Sequence, residues 1–165
     1  MEIYKRYHWN GAVHAQCYYD NNNKLQGVYK QYCENGKLEL KRYYKDGKLH
    51  GVCKEYYYKT GKVKMECNYK NDELHGVYKW YYENGKLELE RNYKNDELHG
   101  VYKEYYKTGE LWIESNHKND ELHGVYKEYY KTGELWIECN YKNGKLEGLE
   151  KCYFKKGGCK YSMVH

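Results

Sequence analysis

A glycine returns every 24 residues along this chain, at Gly27, Gly51, Gly76, Gly100, Gly124 and Gly148, with one step of 25 between Gly51 and Gly76. A second series, Gly11, Gly36, Gly61, Gly85, Gly109, Gly133 and Gly157, runs out of phase with the first. Self-similarity at such a period marks a tandem array of one supersecondary unit, each copy too small to bury its own apolar face. The longer step comes from the extra tyrosine in Tyr56-Tyr57-Tyr58. The copies that begin at Tyr93 and His117 are nearly identical.

Within a copy the pattern predicts two strands and two tight turns. Residues 99–107, HGVYKEYYK, read as the first strand and residues 110–116, ELWIESN, as the second. Thr108-Gly109 lies between them, with Asn35-Gly36 and Asn84-Gly85 in other copies. Such pairs between alternating runs favour hairpins, because glycine tolerates the positive φ that the turn requires. The next turn is Asn119-Asp120 here, Asp46-Gly47 and Asn143-Gly144 elsewhere. The expected fold is all-β: an elongated, twisted antiparallel β-meander or solenoid of tandem hairpin repeats of about 24 residues. With 13 or 14 strands about 4.8 Å apart, the sheet would extend for about 60–65 Å. A single repeat domain is expected over residues 1–165, with a half repeat at 1–11, repeats over about 12–157 and a cap or tail at 158–165.

Side-chain alternation divides each copy into two faces. Val101, Lys103 and Tyr105 would share one face with Leu111, Ile113 and His117; Tyr102, Glu104 and Tyr106 would share the other with Trp112, Glu114 and Asn116. The first set is the more constant between copies. The position of Glu104, by contrast, is taken by Arg6, Gln31, Glu55, Trp80, Glu128 and Cys152. The constant face is therefore expected to pack and the variable face to look outward. The Leu-x-Gly pair, as in Leu98 and Gly100, suggests bare backbone under an aromatic ring.

Composition fits a thin sheet. Leu, Ile, Val and Phe are scarce, but 25 tyrosines each offer an apolar body with a wet hydroxyl. No proline interrupts a hydrogen-bond ladder. No apolar run spans a bilayer and MEIYKRYHWNG lacks a signal-peptide core, so an intracellular, cytoplasmic chain is expected, with peripheral membrane association left open. Cys17, Cys67 and Cys139 alternate with Arg42, Arg91 and Ser115 in one slot, which argues for free thiols rather than a disulfide framework.

The strings YKNGKLEG, YKDGKLHG and YKNDELHGVYKEYYKTG resemble the MORN repeat family, from about residue 3 to residue 157. They are most similar to the variant MORN units of antitoxin-like bacterial proteins and of repeat proteins from large DNA viruses of protists. The family's usual Gly-x-Trp position is mostly tyrosine here (Tyr29, Tyr78, Tyr102, Tyr126), with Cys53 and Glu150 as exceptions. The resemblance implies a non-catalytic scaffold that binds proteins. Its alternatives are a peripheral phospholipid-binding module or an antitoxin-like neutralising protein.

The residues themselves offer little chemistry. His50, His75, His99 and His123 share a slot, but equivalent side chains two strands apart lie about 9–10 Å from each other. Zinc ligands must approach to about 2.0–2.1 Å, so no metal or cofactor is expected. Glu104, Glu114, Glu128 and Glu138 read as partners of nearby lysines rather than acid–base pairs. No phosphate loop, nucleophile elbow or HExxH string occurs, and the chain is read as not an enzyme. A net charge of +5, spread evenly, argues against nucleic acid. The candidate protein-binding residues are the aromatics Tyr78, Trp80, Tyr82, Tyr102, Tyr106, Trp112, Tyr126, Tyr130 and Trp136, because Tyr and Trp dominate interface hot spots. A protein partner, or self-association through terminal edge strands, comes first, and membrane lipid second.

Overall fold

The computed structural model describes residues 2–155 and the backbone of 159–164; Gly157 of the second glycine series and the tail positions 156, 158 and 165 lie outside the described residues. The chain divides into two compact units, Met1–Gly76 with Glu83–Gly85, and Val77–Tyr82 with Lys86–His165. The described residues contain strands and turns and no helix.

The first unit holds β1 (Glu2–Tyr7), β2 (Val13–Tyr19), β3 (Gly27–Tyr32), β4 (Leu38–Lys45), the two-residue β5 (Lys48–Leu49), β6 (Gly51–Tyr56), β7 (Val63–Lys70) and β8 (Glu73–Leu74). Each pairs antiparallel with its neighbour in sequence, and β4 also pairs with β6 across the short β5. In the second unit, β9 (Gly76–Tyr81) is followed by β10 (Leu87–Lys94), β11 (Glu97–Tyr105), β12 (Leu111–Lys118), β13 (Glu121–Leu122) and β14 (Gly124–Tyr129). Then come β15 (Leu135–Lys142), β16 (Lys145–Leu146), β17 (Leu149–Tyr153) and β18 (Cys159–Val164), the last paired to β17. Each unit is thus an antiparallel meander of the same hairpin, and the protein is all-β.

The turns follow from their residues. Asn119 and Asp120 have φ of 50° and 66° between the paired Lys118 and Glu121. Asp46-Gly47 and Asn143-Gly144 do the same between Lys45 and Lys48 and between Lys142 and Lys145. Two successive positive φ values make the mirror-image two-residue turn whose twist matches that of the strands. At the other end of the hairpin, the Tyr106 amide donates to the Glu110 carbonyl at 2.8 Å and the Gly109 amide to the Tyr106 carbonyl at 2.7 Å.

Both rows of turns are tied from repeat to repeat. The Leu98 amide donates to the Asp120 carboxylate at 2.8 Å, while the Asp120 amide donates to the Leu98 carbonyl at 3.0 Å. Leu49 and Asp72 make the same reciprocal pair at 2.7 and 3.0 Å. On the opposite row, Lys37 Nζ donates to the Lys59 carbonyl at 2.8 Å and Lys62 Nζ to the Asn84 carbonyl at 3.1 Å, and Lys86 does the same to Thr108.

The Leu-x-Gly glycines have a different cause from the one expected. No aromatic ring covers them: nothing lies within 4 Å of a Cβ built on Gly27, Gly76, Gly124 or Gly148, and one on Gly100 would meet Asn92 Cβ at an ordinary 3.7 Å. Gly100 instead has φ +97°. Arg91 pairs with Tyr102 and Tyr93 with Leu98, so His99, Gly100 and Val101 bulge opposite Asn92 alone. Only glycine enters that conformation without strain.

The face assignment is also corrected. Tyr102 stands opposite Ser115 and Glu104 opposite Ile113, whereas Lys103 stands opposite Glu114 and Val101 opposite Asn116. Residues directly opposite share a face, so Ile113 and His117 join Tyr102, while Glu114 and Asn116 join Lys103. The reason is one inserted residue. Tyr105 pairs with Leu111, which leaves Trp112 as the extra residue of a β-bulge. His14, Glu39, Lys64 and Trp136 occupy the same place in other hairpins. A one-residue slip reverses every side chain beyond it. The packed face is consequently the variable one: Ala15, Cys17, Leu40, Cys53, Met65, Cys67, Ser115, Cys139 and Cys152 are all buried there.

If conformation rather than crowding selects these glycines, Gly124→Ala, with open space around it, should destabilise as much as Gly100→Ala. About 1–2 kcal/mol is expected for each, read from urea unfolding. A loss confined to Gly100→Ala would restore the crowding explanation.

Candidate functional site

On the packed face, small residues sit under tyrosine rings, Trp112 and Trp136 stand at bulges, and Trp80 takes the slot of Glu104. Tyr102 meets His117 with ring centroids 5.3 Å apart, and the Arg91 guanidinium lies 5.1 Å from the Tyr102 ring centre. Ser115, opposite Tyr102, is 1% exposed. Tyr126 stands opposite Cys139 and packs edge-on against Tyr141 at 5.9 Å. Tyr78 packs in the same way against Tyr93 at 6.0 Å. The Tyr126 hydroxyl donates to Glu128 at 2.6 Å, and Tyr102 bonds Glu104 likewise. Burial first, and then the neighbouring carboxylate, raises the pKa of both phenols and keeps them protonated as donors.

Tyr82, Tyr106 and Tyr130 serve as ties between repeats. Their hydroxyls donate to the carbonyls of Tyr105, Tyr129 and Tyr153 at 2.8, 2.9 and 3.0 Å. His8 occupies the equivalent position in the first hairpin, and its Nε2 makes the same bond to the Tyr32 carbonyl at 2.9 Å. The six aromatics taken from the tyrosine slots are thus half-buried parts of the sheet's own packing.

The tryptophans are more accessible. Trp112 and Trp136 are 38% and 39% exposed, each leaning on a tyrosine tie, Trp112 on Tyr106 at 5.8 Å and Trp136 on Tyr130 at 5.7 Å. Trp80 stacks on Tyr78 at 6.5 Å, with ring planes 17° apart. Trp80, Tyr82 and Trp112 come together around a concavity of 440 Å³. Glu88, Leu89, Arg91 and Glu104 line it with them. Trp136 stands one repeat further on. Sequence reasoning found the three aromatics and placed Glu104 on their face, but the wrong register sent Leu89 and Arg91 to the other one. Aromatic surface ringed by carboxylates and a guanidinium suits docking of side chains from another molecule. Among the described residues no group of His, Cys, Asp and Glu is arranged to hold a metal ion.

In the first unit the same face carries Tyr29 opposite Arg42 and Cys53 opposite Cys67. Cys17, Cys33, Cys53, Cys67, Cys139 and Cys152 are free and buried. The Cys53 thiol is held below its ordinary pKa because it accepts a hydrogen bond from Cys67 and another from Arg42, against the opposing effect of burial. The Cys67 thiol is pushed up by that same hydrogen bond and by burial.

The fold and this face define an open-faced β-hairpin repeat protein that presents aromatic and charged side chains rather than a closed cleft. Residues 25–46, 49–71, 74–95, 98–119 and 122–143 match the MORN repeat variant, and the chain belongs to that family. MORN repeats mediate interactions with proteins or membranes. No curated protein matches the chain. Among the described residues no helix is long and apolar enough to cross a membrane.

Tyr106→Phe should lower unfolding free energy by about 1 kcal/mol in urea titration, the net worth of its bond to Tyr129. The cysteine pair predicts a pH dependence. A thiol that ionises more readily folded than unfolded adds stability that is complete above the unfolded value of about 8.5 and is lost as pH falls through the folded pKa. Cys67 acts oppositely and costs stability above about 8.5. The Cys53 contribution to unfolding free energy should therefore rise with pH between its folded pKa and about 8.5, and urea titrations across that range should lose this rise in Cys53→Ala.

Proposed function

We propose that this chain is a non-catalytic scaffold that binds a protein partner through the tryptophans of its packed face, Trp112 and Trp136 at bulges and Trp80 in the slot of Glu104. Trp80, Tyr82 and Trp112 around the 440 Å³ concavity are the observation that carries this reading. Three features support it. The concavity combines indole and phenol surface with the Arg91 guanidinium, the side chains enriched where partners anchor, and Glu88 and Glu104 line it beside them. The surrounding tyrosines are fixed by hydrogen bonds to backbone carbonyls, so little side-chain entropy is lost when a partner docks on their edges. MORN repeats are interaction repeats.

Affinity capture from the native source, compared between the wild type and a Trp80→Ala, Trp112→Ala, Trp136→Ala variant, tests the surface. With hot-spot tryptophans worth about 2 kcal/mol or more each, a specific partner should drop out of the variant's eluate while its circular dichroism stays that of a sheet. Unchanged capture would show that the partner binds elsewhere.

A further inference from the structure

The face opposite the tryptophans differs between the two units. In the second unit one row across the strands alternates in charge. Lys79 bonds Glu90 at 3.3 Å, and Glu90 stands opposite Lys103. Lys103 bonds Glu114 at 3.0 Å, and Glu114 stands opposite Lys127. Lys127 bonds Glu138 at 3.3 Å, and Glu138 stands opposite Lys151. Lys103 and Lys127 each have a carboxylate on both sides.

The corresponding row of the first unit breaks this rule. Lys5 stands opposite Gln16, Gln16 opposite Lys30, Lys30 opposite Lys41 and Lys41 opposite Lys54. Among the described residues of this row only Lys54 finds a carboxylate, Glu66 at 3.2 Å. Like charges directly opposite on paired strands are destabilising. The repeat itself holds the remedy, since the slot of Lys41 carries glutamate at Glu66, Glu90, Glu114 and Glu138.

A second slot on that face changes in the same two strands, β2 and β4. Where later copies have Asn68, Asn92, Asn116 and Asn140, the first two have Tyr18 and Tyr43. Tyr43 stands opposite Val28, so an apolar row lies beside the lysine row. The Lys41 ammonium sits 5.1 Å from the Tyr43 ring centre and joins the two. Two concavities meet at Lys41: one of 330 Å³ over Tyr18, Val28 and Lys30, and one of 390 Å³ over Tyr43, Val52 and Lys54.

We propose that this face of the first unit binds an acidic, amphipathic peptide segment of a partner protein. Its carboxylates meet Lys30, Lys41 and Lys54, and its apolar side chains cover Val28, Tyr43 and Val52. A phosphate polyanion would use the lysines but leave the apolar row idle, which is why a peptide is favoured. The inference rests on the reading above only in taking the partner to be a protein; the surface is separate from the tryptophans.

The test is fluorescence anisotropy at low salt with a short labelled peptide of mixed Glu and Leu. A single-stranded oligonucleotide and phosphatidylserine vesicles are run beside it. The wild type should bind the peptide, and Lys41→Glu, which restores the repeat's own pattern, should weaken binding about tenfold or more while melting no lower than the wild type. Glu114→Lys with Asn116→Tyr, copied into the second unit, should add a second peptide site. The Trp80, Trp112, Trp136 variant should bind the peptide as the wild type does, so loss of either surface is read independently of the other. Absent peptide binding, equal binding by Lys41→Glu, or tighter Lys41-dependent binding of the oligonucleotide or vesicles would overturn the proposal.

Discussion

One inserted residue per hairpin governs what each face of this protein presents. Where Glu104 pairs with Ile113 and Tyr105 with Leu111, Trp112 has no partner, and the strand must carry it on a bulge. A strand with strict alternation would have sent Ile113 to the face of Lys103. With the bulge, Ile113 and Ser115 turn toward Tyr102, and the lysine row gains Glu114. The ion-paired row and the buried row of cysteines and serine are both consequences of that single offset. So is the place of Trp112 and Trp136: bulge residues sit at the rim of a sheet, where a large ring covers neighbours on one side and meets solvent on the other.

A sheet so poor in aliphatic residues still needs buried surface. It finds it by setting the smallest side chains beneath the largest. Ser115 is 1% exposed opposite Tyr102, whose ring lies against the Arg91 guanidinium, and Cys67 is 0% exposed opposite Cys53. The slots that admit Cys, Ser or Arg interchangeably are those in which a flat ring from the next strand supplies the cover. Variation along the packed face therefore reflects tolerance under a lid rather than exposure to solvent. This inverts the usual inference from constancy to burial.

The period, the hairpins and the turn types were legible because glycine, Asn-Gly and Asn-Asp leave direct traces of positive φ. Gly36, Gly85, Gly109 and Gly133 all take it, as do Asn119 and Asp120. Register was not legible. Trp112 is acceptable on either face of a strand, so nothing in ELWIESN reveals that it is the extra residue. The error passed to everything beyond the bulge, including Leu89 and Arg91, which belong to the tryptophan concavity. The Leu-x-Gly motif was recognised but misattributed, since a glycine needed for φ and a glycine needed for space look alike in sequence. A signal for the true register did exist. Lysine and glutamate recur at Lys103 and Glu114, Lys127 and Glu138, and Lys54 and Glu66, and each would be an opposed ion pair only in the bulged register.

That same charge pattern separates structural from functional substitution inside one chain. Near-identical copies provide an internal reference: what a slot needs for folding is met by its commonest residues, and a costly departure calls for another explanation. Replacing a glutamate by Lys41 places three ammonium groups side by side across β3, β4 and β6, at the expense of the sheet itself. Arg42 and Arg91 also depart from Cys or Ser in their slot, but neither stands opposite a like charge: Arg91 faces Tyr102 and Arg42 faces Tyr29. Lys30 and Lys41 stand opposite each other, and among the described residues neither has a carboxylate within ion-pair distance. The chain therefore holds two kinds of irregularity. One is absorbed by its neighbours, and the other is left facing outward with a row of tyrosine and valine beside it. Only the second kind gives a binding partner something the fold has not already used.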